Sequence, residues 1–230
     1  MHGSKSKARI LVVDDHPIVR EGLVALISRQ PDLNCAAEAN SIAEAQAALT
    51  SKSIDLMLLD LRMGDSDGLE NIKSFKARFP AVPILIVSQF DEGTYAERAL
   101  RAGARGYVMK EQATEELLGA IRQVLAGQIY FSPGIARLAV ERMLDTRPAP
   151  HDASLNALSD RELHVFKAIG AGKSTRQIAE ELNLSIKTIE TYREHIKFKL
   201  GLANGAELVE RAKSVLASPP APKRPRGSAR

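Results

Sequence analysis

A chain of 230 residues with 44% hydrophobic and 26% charged side chains has room for two compact units of ordinary globular make-up, which excludes wholly disordered and fibrous classes. Its apolar runs, such as Ile84 to Val87, fall far short of the roughly 20 residues a membrane helix needs, and Met1-His2-Gly3-Ser4-Lys5-Ser6-Lys7 opens no secretory apolar stretch, so a cytoplasmic protein with no membrane partner is expected. The formal net charge of +4 is uneven: residues 1–144 and 145–157 each net −1, residues 158–217 carry ten positive and eight negative side chains, and Lys223, Arg224, Arg226 and Arg230 follow, an asymmetry that points to a polyanionic partner for the last third.

From residue 9, short apolar, β-branched runs alternate with longer segments of helical period, the pattern of strand-helix units feeding a parallel sheet. Strands are predicted over Arg9–Val13, Asn34–Glu38, Ile54–Leu59, Val82–Val87 and Gly106–Met109. The first, third and fourth are nearly all apolar, as strands covered on both faces should be. Cys35, the single cysteine, excludes an internal disulfide and reads as a small core residue. Helices are predicted over Ile18–Arg29, Ile42–Lys52, Leu69–Arg78, Thr94–Ala102 and Thr114–Ala126, with Ser41 and Glu44 forming a capping box. Ser132-Pro133 opens a further helix over 133–144, inside a connecting segment spanning 127–154 that ends in a proline-containing stretch. Residues 155–217 show helical period only, with a second capping box at Ser159 and Glu162. Residues 218–230 hold too many prolines and too few apolar groups to fold, and read as a flexible basic tail.

In an open parallel sheet, ligands bind beyond the carboxyl ends of the strands. Here those ends carry Asp14 and Asp15, then Asp60, then Ser88, then Lys110. Three carboxylates in one pocket repel unless a cation settles among them, and oxygen ligands with room for water favour Mg²⁺. A metal-clamped carboxylate beside an ammonium and a hydroxyl suits phosphoryl transfer, which depends on positioning and charge neutralisation. Asp60 would be the nucleophile, Lys110 would bind phosphoryl oxygens, and Ser88 would donate to one of them. His16 reads as opening the first helix, Asp65, Asp67 and Asp91 as shaping turns, and Tyr107 on spacing alone as a half-buried strand aromatic.

Farther on, Ser174 with Gln177 caps one helix, Asn183-Leu184 turns, and Ser185 caps the next, which makes a helix-turn-helix. Ile178, Ala179 and Leu182 form the inner side of the first helix; Ile186, Ile189, Tyr192, Ile196 and Leu200 form that of the second. The outer side, Lys187, Glu190, Thr191, Glu194 and Lys197, is then either a base-reading surface or a solvated face of a small bundle, and Thr188 is a further candidate DNA contact. Lys173, Arg176, Lys187, Arg193, Lys197 and Lys199 are the candidates for phosphate contacts, and Glu190 and Glu194 can accept from cytosine.

These residues carry a resemblance. Val-Val-Asp14-Asp15-His16-Pro17, Leu-Leu-Asp60-Leu-Arg-Met63, Ile-Val-Ser88 and Gly106-Tyr107-Val-Met-Lys110 resemble the receiver domain of two-component response regulators over residues 9–126. Leu158-Ser-Asp-Arg-Glu162, Gln-Ile-Ala-Glu-Glu-Leu182, Ser185-Ile-Lys-Thr-Ile and Lys199-Leu-Gly resemble the LuxR-type DNA-binding domain, so the whole chain resembles a NarL/FixJ-type regulator. The resemblance implies a flavodoxin-like, doubly wound α/β sheet of order 2-1-3-4-5 joined to a small all-α domain. It also implies phosphorylation of Asp60 by a sensor histidine kinase and Mg²⁺ held by Asp15, Asp60 and the Arg62 carbonyl, with Asp14 nearby. Ser88 and Tyr107 would form a switch pair in which Tyr107 turns inward on phosphorylation. A homodimer on paired half-sites of double-stranded DNA is the implied output, without enzymatic turnover of an outside substrate. Two departures stand out: Gly64 replaces the proline usual after Asp-x-x-Met, which predicts a more mobile loop, and Tyr192 stands where many members carry histidine. Two rivals stay open, an aspartate-nucleophile phosphohydrolase, whose second aspartate would fall at Arg62, and an interaction module independent of phosphorylation.

Overall fold

The computed structural model describes residues 6–64, 68–90, 92–111, 114–132, 155 and 157–217. The helix expected over 133–144, the stretch 145–154, Asp65, Asp67, Asp91 and the tail 218–230 lie outside the described residues. The chain divides into two compact units, Met1–Ala149 and Pro150–Arg230. Among the described residues no helix is long and apolar enough to cross a membrane.

The first unit alternates strand and helix: β1 (Ala8–Val13), α1 (Pro17–Ser28), β2 (Leu33–Ala39), α2 (Ile42–Ser51), β3 (Leu56–Leu59), α3 (Gly68–Arg78), β4 (Ile84–Ser88), α4 (Glu92–Ala102), β5 (Gly106–Met109) and α5 (Thr114–Leu125). The strands pair in parallel in the order β2-β1-β3-β4-β5, the doubly wound sheet the resemblance implies. Ile10 to Val13, Leu56 to Leu59 and Ile84 to Val87 are all buried, which is why these strands are continuously apolar instead of alternating. Each such side chain stabilises the fold by roughly 1.5–3 kcal/mol relative to exposure, so the central strands hold their carboxyl ends in fixed places.

Register decides what meets there. Val13 pairs with Leu59 and Leu59 with Ile86, so Asp14 and Asp60 stand side by side one residue beyond the paired strands. The backbone continues the ladder into this edge, with the Asp60 N–H donating to the Val13 carbonyl at 3.0 Å. Ser88 pairs with Met109, and the Lys110 N–H donates to the Ser88 carbonyl at 2.8 Å, which brings Lys110 onto the same edge.

Two strands begin later than the sequence suggests. β3 starts at Leu56 instead of Ile54, where the Asp55 carboxylate is taken up by the backbone N–H and guanidinium of Arg9 at 2.8 to 3.0 Å. β4 starts at Ile84 instead of Val82 because the Val82 N–H closes a turn on the Phe79 carbonyl, 3.1 Å away, and Pro83 has no N–H to give a ladder. Cys35 is half-buried, packs at the margin of the core, and is pushed toward a higher pKa mainly by that burial.

The second unit consists, in its described residues, of α6 (Asp160–Gly170), α7 (Thr175–Leu182), α8 (Ile186–Leu200) and α9 (Gly205–Ala217). The caps form as the sequence indicates. Ser159 and Glu162 exchange both capping-box bonds, Ser174 and Gln177 do the same, and Ser185 Oγ accepts the Thr188 N–H at 3.0 Å. Asn183 ends α7 in the left-handed region at φ 52°, the sharp turn that sets α8 across α7. Ile178, Ala179, Leu182, Ile189 and Ile196 are buried with Leu163, Phe166, Leu208 and Ala212. Three expected inner positions of α8 differ: Ile186 is 48% exposed, while Tyr192 and Leu200 are half-buried. At about 100° per residue, Ile186 and Tyr192 each lie about 60° off the line through Ile189, and Leu200 is the last residue of its helix.

Candidate functional site

The carboxyl edge of the sheet gathers most of the receiver-type residues singled out above. Lys110 Nζ lies 2.7 Å from Asp14 Oδ2 and 2.7 Å from Asp60 Oδ2, with all three side chains almost completely buried. One ammonium therefore shares itself between two buried carboxylates. Burial drives the Asp60 carboxyl above its ordinary pKa, the charge and hydrogen bond of Lys110 pull it back, and the Asp14 charge adds to the rise. The Arg62 N–H donates to Asp60 Oδ1 at 3.0 Å, so the chain turns sharply past the nucleophile and brings the Arg62 backbone alongside it.

Asp15 is half-buried, and its Oδ2 accepts the Gly64 N–H at 2.8 Å. Gly64 sits at φ 53°. Proline could adopt neither that angle nor that hydrogen bond, so the unusual residue after Asp-x-x-Met is used here to tie its loop to Asp15. The expectation of greater mobility covers Gly64 to Gly68, of which residues 65–67 lie outside the described ones.

One set of potential ligand atoms, from Asp14, Asp15, His16 and Asp60, falls within 4.8 Å of one another. Asp14 Oδ2 has Lys110 as its ionic neighbour, and Asp15 Oδ1 is buried with no well-aligned hydrogen-bond donor. A buried carboxylate oxygen that no well-aligned donor saturates, beside two further carboxylates, fits a hard divalent cation such as Mg²⁺.

Ser88 is buried at the end of β4, and its Oγ accepts the Phe90 N–H at 3.2 Å. Tyr107 differs from expectation. It is already inside, fully buried, with its hydroxyl donating to the Phe90 carbonyl at 2.8 Å. A buried phenol needs an acceptor, and this carbonyl supplies it. Ser88 and Tyr107 thus grip the same residue, Phe90, from its N–H and its C=O.

Two neighbours escaped the sequence reading. Arg20 Nη1 donates to the Asp14 carbonyl at 2.8 Å and its Nε faces Glu38 at 3.6 Å, bracing the loop before α1. His16 is not a plain helix opener, because its ring lies 2.7 Å from Asp15 Oδ1 on one side and 2.8 Å from Arg62 Nη2 on the other. The signal was present in the order Asp14-Asp15-His16-Pro17: proline fixes the helix start, and the residue before it is left on the sheet's carboxyl edge.

In the second unit Lys187, Glu190, Thr191 and Glu194 are exposed on α8, with Thr188, Arg193 and Lys197 half-buried. Several candidate cations are already engaged: Lys173 with Glu181 at 2.6 Å, Arg176 with Glu180 at 3.1 Å and Lys197 with Glu194 at 2.9 Å. Lys199 meets the buried carboxylate of Glu162 at 2.6 Å, which gives it a packing role. Thr188 is drawn into the cap, its hydroxyl 2.8 Å from Ser185 Oγ, and Thr191 Oγ1 donates to the Lys187 carbonyl at 3.0 Å. Among the described residues, Lys187 and Arg193 carry no ion pair.

Comparison with known proteins places both units. The family model of the response regulator receiver domain matches residues 10–122, and that of the luxR family of bacterial regulatory proteins matches residues 156–212. The oxygen regulatory protein NreC of Staphylococcus aureus (strain MRSA252) is 35% identical over 209 residues, covering 89% of this chain and 96% of its own. Among solved structures, the response regulator RcsB of Salmonella typhimurium aligns with a TM-score of 0.55 at 25% identity, covering 91% of this chain and all of that one. A LuxR-family two-component response regulator from Aurantimonas sp. SI85-9A1 aligns at 38% identity and a TM-score of 0.56, over 61% of this chain and all of that one. RcsB has also been solved as two dimers bound to two parallel DNAs, a structure that aligns at 25% identity with a TM-score of 0.55 over 91% of this chain.

Proposed function

The chain belongs to the two-component response regulators that join a receiver domain to a LuxR-type DNA-binding domain, and we propose that it is a transcription factor controlled by phosphorylation of Asp60. The observation that carries this reading is the 2.7 Å approach of Lys110 Nζ to both Asp14 and Asp60 at the carboxyl edge of the sheet. Asp60 is held by its neighbours as a single oriented carboxylate. One of its oxygens would attack the phosphorus of a phosphohistidine on a sensor kinase; the P–N bond breaks and the departing imidazole keeps the electron pair. Lys110 neutralises charge on the transferred phosphoryl oxygens, and the Ser88 hydroxyl, released from Phe90, donates to one of them. Asp15, Asp60 and the Arg62 carbonyl would hold Mg²⁺ with Asp14 nearby, and that ion when bound supplies charge neutralisation between acceptor and phosphoryl group.

Ser88 and Phe90 connect the acceptor to α4. Because Ser88 Oγ holds the Phe90 N–H and Tyr107 holds the Phe90 carbonyl, drawing Ser88 toward a phosphoryl group loosens one of two grips on the loop before α4. The face of α4, β5 and α5 is then the surface that changes, by a shift of the Phe90 loop and not by an inward swing of Tyr107. Homodimerisation on paired half-sites of double-stranded DNA is the output this supports, as RcsB dimers bind DNA. On α8, Lys187 and Arg193 remain for phosphate contacts, and Glu190, Thr191 and Glu194 for base edges.

The test incubates the full chain with Mg²⁺ and acetyl phosphate, reads intact mass, and follows DNA by footprinting. A single phosphate adduct is expected on the wild type and none on Asp60→Ala, with protection of paired sites strengthened only in the former. An adduct persisting on Asp60→Ala ends the assignment. A second expectation concerns the DNA-binding unit: affinity falls steeply with salt as counterions are released, and Lys187→Ala reduces the slope of log K against log salt by about 0.9. A salt-insensitive complex would rule out phosphate contacts.

A further inference from the structure

We propose that His16 is a positioning residue of the phosphoryl-accepting site: acting through Asp15 it sets the site's affinity for its divalent cation, and through Arg62 it ties the loop after β1 to the loop that carries Asp60. The proposal rests on the reading of Asp15 as a cation-holding carboxylate.

The geometry assigns the ring's roles. A guanidinium has only donors, so Arg62 Nη2, 2.8 Å from His16 Nε2, makes that nitrogen an acceptor. The ring proton therefore sits on Nδ1, which faces Asp15 Oδ1 at 2.7 Å and Asp14 Oδ1 at 3.4 Å. The approach to Asp15 is short but lies off the N–H axis, so the carboxylate oxygen is steered without being saturated. Helix capping does not account for this placement, because His16 occupies the N-cap of α1 with no side-chain cap bond. Its backbone N–H instead donates to Asp14 Oδ1 at 2.9 Å, and Pro17 follows in the first turn, so the ring is fixed from the main chain as well. Outer partners that orient a ligating group this way change metal affinity by about 10–100-fold when removed. The link to Arg62 adds a second constraint, since the same residue's N–H holds Asp60 Oδ1. Asp15, His16, Arg62 and Asp60 form one chain of contacts across the mouth of the site.

The test measures Mn²⁺ binding to the full chain by the loss of the free-ion paramagnetic resonance signal, in wild type, His16→Phe, His16→Asn and Asp15→Asn. His16→Phe is expected to weaken binding by about 10-fold or more. His16→Asn, whose amide N–H stands near the place of Nδ1–H, restores most of it, which a merely space-filling role would not produce. In acetyl phosphate labelling, the Mg²⁺ concentration for half-maximal rate should rise for His16→Phe by the same factor while the rate at saturating Mg²⁺ stays near that of wild type. If His16→Phe does not fold, His16→Gln, which can accept from Arg62 through its terminal amide oxygen but has carbon where Nδ1–H stands, should show the same weakening. Wild-type affinity in the His16 variants with affinity lost in Asp15→Asn would overturn this proposal and leave the site reading standing. Wild-type affinity in Asp15→Asn would overturn the site reading itself. A nitrogen hyperfine coupling on bound Mn²⁺ would make the imidazole a direct ligand and end the positioning role.

Discussion

Lys110→Met is expected to destabilise the receiver by about 3–5 kcal/mol at neutral pH in the absence of divalent cations, because it leaves two buried carboxylates facing each other without their shared counter-charge. The side chains of Lys110, Asp14 and Asp60 are 7%, 1% and 2% exposed, so solvent does little to screen the loss. The pH dependence follows from the direction of the Asp60 shift. Its folded pKa is raised, chiefly by burial. The folded form therefore binds its proton more tightly than the unfolded chain, and the resulting stability is complete below the unfolded pKa and is lost as pH rises through the folded one. Without Lys110 the principal opposing influence is gone, the folded value climbs further, and the window of falling stability extends to higher pH. Urea denaturation at a series of pH values should give a steeper decline for Lys110→Met than for wild type, with Mg²⁺ restoring part of the difference. Equal slopes would mean that Lys110 does not neutralise the pair. Phosphorylation of the variant should also collapse, since the group that meets the phosphoryl oxygens has been removed.

That prediction draws on something the sequence made legible. The carboxylates at strand ends and the lysine after the fifth strand are separated by almost a hundred residues, yet a parallel sheet brings strand ends together regardless of spacing. Asp14, Asp60 and Lys110 could be placed at one edge from periodicity alone. Their contact distances could not, because the Val13–Leu59–Ile86 register that puts Asp14 beside Asp60 is a property of the assembled ladder. Strand starts were read less well where a local interaction competes with apolar content, as at Asp55 with Arg9 and at Pro83.

Side-chain direction was the harder quantity. His16 looked like a helix opener because the following proline fixes the backbone and says nothing of where the imidazole turns. Tyr107 looked like a residue awaiting an inward turn, since the availability of the Phe90 carbonyl as its acceptor depends on the loop after β4. On α8, helical spacing suggested that Ile186 packs inward, whereas Ile189 and Ile196 alone among its isoleucines are fully buried. Cation counting likewise overstated the charge free to meet DNA: Lys199 serves Glu162, a capping residue of α6, and three others are paired within their own unit. A basic residue read from sequence is a candidate for phosphate only after its intramolecular partners are known.

Gly170→Val is expected to destabilise the DNA-binding unit selectively. Gly170 closes α6 against α9, and a Cβ placed there would stand 2.5 Å from the Ala212 carbonyl oxygen and 2.8 Å from its carbon, with Leu216 Cδ1 at 2.6 Å. Leu216 is partly exposed and can swing aside, but the Ala212 backbone is the spine of α9 and cannot. The two helices must move apart, and Ala212, now fully buried, loses its packing. Overpacking of this kind costs about 1–3 kcal/mol and occasionally more. A unit of this size has only a few kcal/mol in total, and its melting temperature moves by about 4–8 °C for each kcal/mol, so a shift on the order of 10 °C is expected. The measurement is a calorimetric melt of the full chain, in which one transition should drop while the other holds. Acetyl phosphate labelling at Asp60 should be unchanged, because Gly170 and Ala212 belong to the other compact unit, while DNA protection fails at the temperature of the displaced transition. If both transitions fell together, the two units would share their stability, and the division into a phosphoryl-accepting body and a separately folded reader of DNA would have to be replaced by one cooperative structure.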